Sequence, residues 1–171
     1  LTNNSQRGGK DRPGTDRANP RVNNVFGQII RWREAGNDPA GMKFEWDLFA
    51  IAGDAQHPDP ARRGNIKGDS FGSPDGLWFD DGGLLWIQTD VSTSTLNKNH
   101  YERLGNNMML AADIRSGETR RFLTGPNGAE VTGVVTTPDG KTMFVNIQHP
   151  GETSSERNDP KSPQIVSSWP D

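Results

Sequence analysis

Apolar and polar positions alternate along this chain in short runs, separated by segments rich in Gly, Pro and Asp. Residues 25–33 (VFGQIIRWR) are β-branched and aromatic and predict a strand. In residues 44–51, Phe44, Trp46 and Leu48 alternate with Glu45 and Asp47, the pattern of a half-buried strand. Pro74-Asp75-Gly76 opens a strand that runs to Phe79, Asp80-Asp81-Gly82-Gly83 turns it, and Leu84 to Gln88 brings it back. Residues 107–114 and 119–123 predict a second hairpin around Arg115-Ser116-Gly117-Glu118. Residues 131–136 and 142–147 predict a third around Pro138-Asp139-Gly140-Lys141. Trp32, Trp46, Trp78 and Trp86 fall in strands and are expected in the core. Residues 5–20, 53–72 and 91–106 read as polar surface loops, with His57 and His100 expected to be solvated. The tail from Pro150 reads as loop, with one strand expected at 164–167. No amphipathic helix is predicted.

The pattern repeats. Gly76-Leu77-Trp78-Phe79 corresponds to Gly133-Val134-Val135-Thr136, 57 residues later, and Leu85-Trp86-Ile87-Gln88 corresponds to Met143-Phe144-Val145-Asn146, 58 residues later. A repeat of about four strands at such spacing is the signature of a β-propeller, whose blades run roughly 40–50 residues before insertions. The predicted fold class is therefore all-β, a partial β-propeller with about two blades' worth of antiparallel strands. Residues 25–51 form an outer half-blade, 75–123 a full blade and 130–147 an inner half-blade. A closed ring needs about four blades or more, so the chain reads as a fragment with exposed blade edges open to self-association.

Composition supports this and removes alternatives. Gly 20 and Pro 12 in 171 residues suit many turns, while five Trp and seven Phe supply a core. The net charge of -3 and the lack of a basic stripe interleaved with aromatics argue against nucleic acid. No apolar stretch approaches the ~20 residues of a membrane span. The absence of Cys excludes thiolate ligands and nucleophiles from these residues. LTNNSQRGGK lacks the apolar core of a signal peptide and reads as the end of a strand; SSWPD also stops abruptly.

Strand direction alternates within a blade, so the polar residues can be sorted by rim. One rim collects Asp75, Asp90, Asn106 and Asn107 from the full blade, and Glu130, Gln148 and His149 from the following half-blade. Asn23 and Asn24 join from the preceding half, as do Asn3 and Asn4 if LTNN ends a strand. Carboxylate and amide oxygens suit hard cations such as Ca²⁺, and carboxylate with imidazole suits Fe or Mn. Asn and Asp are also favoured in turns for their own hydrogen bonding, and Asn106 and Asn107 read first in that way. Asp75 and Glu130 flank the innermost strands and point to function. No P-loop, nucleophile elbow or EF-hand spacing is present.

The runs NPRVNNVFGQIIRWRE, SPDGLWFDDGGLLWIQTD and EVTGVVTTPDGKTMFVNIQHPGE, with the terminal LTNN and SSWPD, resemble the C-terminal part of PhoX-type bacterial alkaline phosphatases. The resemblance implies a six-bladed propeller in the whole protein and hydrolysis of phosphate monoesters at a central cluster of Ca²⁺ and Fe³⁺. It implies a periplasmic or secreted location, usually reached through a twin-Arg signal. It also implies N-terminal blades beyond this chain, with a cysteine iron ligand among them. Carried onto this sequence, it makes Asp75, Asp90 and Glu130 metal ligands, with His149 and Asn24 as weaker candidates for an outer contact or for phosphate. Two alternatives stay open: a lactonase-like propeller with one divalent metal, which shares the PDGL-type strand opening, and a non-catalytic propeller scaffold.

Overall fold

The structure is a computed structural model that describes residues 1–3, 5–152, 161, 162, 164, 165, 168 and 169. Nine strands are found among the described residues, with three short 3-10 turns and no α-helix, so none is long and apolar enough to cross a membrane. The strands are β1 (Gln28–Glu34), β2 (Phe44–Ile51), β3 (Lys67–Gly68), β4 (Pro74–Phe79), β5 (Leu84–Thr89), β6 (Met108–Asp113), β7 (Glu118–Thr124), β8 (Glu130–Thr136) and β9 (Met143–Gln148). They form three sheets: β1-β2, then β3-β7-β6-β5-β4, then β8-β9. Eight of these strands are legible in the hydrophobic pattern.

β3 is not, because it is only two residues long and sits in a loop that reads as polar throughout. It runs parallel to β7, pairing Lys67 with Glu118 and Gly68 with Thr119. Side chains secure it: Thr119 Oγ1 donates to the Lys67 and Asp69 carbonyls, and Asp69 accepts from the Arg121 N–H at 2.8 Å.

The β4-β5 hairpin turns on Asp80. Its carboxylate accepts from the Leu84 N–H and from Trp86 Nε1, each at 2.9 Å, while Gly83 takes the positive φ of 84° that the turn needs. Burial opposes the charge, but the bonds from Trp86 and the turn N–H groups hold the Asp80 carboxyl below its ordinary pKa.

β5 is covered on both faces. Leu85 and Ile87 join one core with Phe26, Ile29, Ala50, Phe71, Leu110 and Ala112, which ties the first sheet to the second. Trp86 points the other way and meets Met109 and Val131, with Trp78, Val134 and Val145 against them. This period-2 division of side chains lets one strand glue three sheets together in chain order, as in a partial β-propeller. Leu110 is fully buried in the first core. Leu110→Ala is expected to cost about 2–5 kcal/mol of stability, read as a lowered denaturant midpoint with unchanged slope.

Two sequence expectations fail at the periphery. Trp32, expected in the core, is 61% exposed because it faces Trp46 across β1-β2, where no further sheet among the described residues covers them. A groove of about 990 Å³ lies beside it, lined by Trp32, Trp46, Leu77, Trp78 and Phe79 among others. Of the strand expected at 164–167, Gln164 and Ile165 form a turn instead, with the Ile165 N–H on the Ser162 carbonyl at 3.0 Å. The other two positions lie outside the described residues.

Candidate metal centre

Asp75 is the second residue of β4, and Asp90 follows the last residue of β5. The hairpin is closed between them by the Asp90 N–H on the Ser73 carbonyl at 3.0 Å. The register of the pair shifts between Pro74 and Leu77, and this irregularity re-aims the start of β4 where Asp75 sits. Glu130 opens β8 and pairs with Gln148, the last residue of β9. One carboxylate oxygen from each of Asp75, Asp90 and Glu130 lies within 4.8 Å of the others. Asp75 is exposed, Asp90 partly exposed and Glu130 buried.

Like charges this close raise each other's proton affinity. Burial, then the Asp75 charge, lifts the Asp90 carboxyl above its ordinary pKa. Burial, then Asp90 and Asp75, lifts Glu130. The pocket therefore carries excess negative charge that a bound cation would relieve. The donor atoms are all carboxylate oxygens, which fits a hard cation such as Ca²⁺.

Around the acids, Gln148 Nε2 donates to Glu130 Oε2 at 3.0 Å. His149 Nε2 lies 3.6 Å from the same oxygen, and its Nδ1 sits 3.3 Å from the Gly128 carbonyl and 3.4 Å from Glu152 Oε2. His149 adopts a positive φ of 39°, an uncommon conformation that places the ring beside Glu130.

The other rim residues have different work. Asn24 is buried, receives a bond from Arg21 at 3.2 Å and donates to Gln28 at 3.1 Å, so its amide serves that network. Asn106 links Asn97 to the Gly125 carbonyl. Asn4 lies outside the described residues.

Asn107 is the residue whose importance the sequence understates. It is buried, and its Oδ1 accepts from the Val91 N–H at 2.7 Å and from Thr89 Oγ1 at 3.0 Å. Its Nδ2 donates to the carbonyls of Val91 and Ala129. One amide thus braces both neighbours of Asp90 and the residue before Glu130. An Asn between loop and strand looks like ordinary turn chemistry in sequence, so only the fold reveals this role.

The model of the family described as "Alkaline phosphatase PhoX" matches residues 1–151. The chain belongs to this family. Among solved structures it is similar to Pseudomonas fluorescens PhoX in complex with vanadate, a transition state analogue, with 45% identity and a TM-score of 0.80. The match covers 94% of this chain and 28% of that one, so the chain spans little more than a quarter of the length of this PhoX relative. No curated protein sequence matches it.

Proposed function

We propose that this chain supplies one sector of the metal centre of a PhoX-type phosphomonoesterase. The observation that carries the reading is the convergence of Asp75, Asp90 and Glu130 within 4.8 Å in a member of this family. In this reading residues 25–51 are an outer half-blade, 75–123 a blade and 130–147 an inner half-blade, and blades elsewhere in the same protein complete the ring. Asp75, Asp90 and Glu130 hold Ca²⁺, and the iron expected in the family takes most of its ligands from outside this chain. His149 is placed to serve as an outer contact or to meet phosphate; Asn24 is a weaker candidate because its amide is engaged.

When bound, the cations would neutralise charge on a phosphoryl group and orient its oxygens. The chain's own part is to hold three ionised carboxylates at fixed spacing. Gln148 and the β8-β9 pairing fix Glu130, while the hairpin closure at Ser73 fixes Asp75 and Asp90. His149, with Nδ1 facing the Gly128 carbonyl, presents Nε2 toward Glu130 and toward any acidic group that enters. The expected substrates are phosphate monoesters, and the expected location is periplasmic or extracellular.

The test is turnover of an aryl phosphate by the full-length protein, with Ca²⁺ and Fe³⁺ supplied and vanadate as competitor. Full-length enzyme is expected to hydrolyse the ester and to lose activity in Asp75→Ala and Glu130→Ala, while the 171-residue chain alone is inactive. Lactone turnover without phosphatase activity, or unchanged metal content in both variants, would overturn the reading in favour of a lactonase or a scaffold.

A further inference from the structure

The two histidines expected to be solvated instead meet each other. His57 comes from the long loop before β3, and His100 from the 3-10 turn Asn99–Tyr101 in the loop after β5. His57 Nε2 and His100 Nδ1 are 3.3 Å apart, and the ring centroids are 5.4 Å apart. The fully buried Phe26 ring packs edge-on to both, at 6.0 and 6.3 Å.

The protons on this pair can be placed from its neighbours. His57 Nδ1 lies 3.1 Å from the Asp59 N–H and 3.2 Å from the Asp59 carbonyl, which also accepts from the Arg62 N–H. With the Asp59 N–H assigned as the donor to Nδ1, the His57 proton sits on Nε2. Nε2–H then donates to His100 Nδ1, which leaves the His100 proton on its own Nε2. Both rings are neutral in this arrangement. Protonating His100 would set two N–H groups against each other across the 3.3 Å contact.

The surrounding charges are of both signs. Arg62 and His57 disfavour a charge on His100, and Asp59 favours one. Arg63 Nε donates to the His57 carbonyl at 2.6 Å. Arg103 pairs with Asp54 at 3.2 Å and donates to Gln56, a second tie between the two loops. Lys98 and Glu102 flank the 3-10 turn itself. The side formed by Phe26 and Tyr101 brings no charge.

The turn matters because of Tyr101. Its hydroxyl donates to the Val25 carbonyl at 2.6 Å and accepts from Ser73 Oγ at 2.7 Å. Ser73 holds a positive φ of 51°, and its backbone bonds the Phe26 carbonyl on one side and the Asp90 N–H on the other. Whatever seats Tyr101 thus also seats the residue on which the β4-β5 hairpin closes.

We propose that the His57–His100 pair is an acid-sensitive latch: while both rings are neutral it fastens the two loops together and keeps Tyr101 under Ser73, and protonation releases them. The proposal concerns loop docking and stands apart from any metal bound nearby. Burial, followed by Arg62 and His57, lowers the His100 pKa. The unfolded chain then binds the proton more readily than the folded one. The latch's contribution is full above the ordinary His pKa of about 6.5 and is lost as pH falls from there through the lower folded value.

Tyr101 is the reporter, with its ¹³C-labelled ring signal assigned by its loss in Tyr101→Phe. Its signal is expected to shift or broaden between about pH 7.5 and pH 5.5. Amides near Tyr101 should exchange severalfold faster at the lower pH after correction for intrinsic rates. In His57→Gln/His100→Asn, the Gln amide N–H can replace Nε2–H and the Asn oxygen can replace Nδ1, so the contact is kept but cannot titrate. That double variant should show neither change. A pH-independent Tyr101 signal in the native chain, or the same response in the double variant, would overturn the latch. Should the double variant fail to fold, ¹⁵N spectra of the native imidazoles decide: Nε2-protonated tautomers with His100 titrating below the ordinary value support it, and an Nδ1-protonated pair or an ordinary His100 titration refutes it.

Discussion

Glu130→Gln is expected to weaken Ca²⁺ binding by about 100-fold while leaving the metal-free protein more stable than the native one. The loss follows because even a residue that only supports a metal ligand typically contributes about 10–100-fold in affinity, and Glu130 is the buried member of the triad. The gain follows from electrostatics. With no cation present, three carboxylates within 4.8 Å repel one another. Removing one charge should return about 1 kcal/mol once screening at the exposed Asp75 is allowed for. Glutamine keeps an oxygen for Gln148 Nε2, so packing is preserved.

The same charges give the metal-free chain a distinctive pH response. Asp90 and Glu130 have raised proton affinities, from burial first and acidic neighbours second. The folded state therefore holds protons that the unfolded chain releases. Their contribution is complete below the ordinary carboxylate pKa of about 4 and disappears as pH rises through the higher folded values. Melting with a chelator and with Ca²⁺, across that range, checks both effects. Ca²⁺ should restore at neutral pH what deprotonation removes, and Glu130→Gln should flatten the chelator curve. An unchanged Ca²⁺ titration, or a destabilised metal-free variant, would refute the assignment.

Much of this architecture is legible in the sequence because period-2 alternation and turn residues are local signals. Phe44 to Ile51 and the 74–89 hairpin carry them clearly, and the rim on which Asp75, Asp90 and Glu130 meet follows from strand direction alone. What escapes is whatever depends on distant partners. β3 exists through Thr119 and Asp69, about fifty residues apart, and no local pattern announces it. The loop at 91–106 looks polar, yet Val91, Leu96, Tyr101 and Leu104 are buried, their apolar side chains too widely spaced to form a run. His57 and His100 read as loop residues for the same reason. Trp32 errs the other way: its strand is read correctly, but the surface that would cover it is not among the described residues.

Asn107→Ala should have the largest effect on stability of any single change near the centre, although Asn107 itself carries no charge. The substitution strands the Val91 N–H and the carbonyls of Val91 and Ala129 in a buried site, and Thr89 Oγ1 loses its acceptor. At about 1–3 kcal/mol for each strongly buried unmet group, a loss of about 3–5 kcal/mol is expected. That is a large fraction of the roughly 5–15 kcal/mol by which domains are stable. Asn107→Asp should not rescue it, because a carboxylate can serve the Val91 N–H but must face two carbonyl oxygens where the amide donated. The consequence for the metal centre separates this residue from Glu130. Glu130→Gln removes a proposed ligand and spares the fold; Asn107→Ala keeps all three carboxylates and loosens the strut that sets Asp90 against Glu130. Ca²⁺ should therefore still bind the variant, but about tenfold more weakly, and its stabilising effect at fixed concentration should shrink accordingly. Denaturant unfolding with and without Ca²⁺ measures both quantities at once. Native-like stability in Asn107→Ala would mean that the four bonds at this amide do not hold the two carboxylates in place.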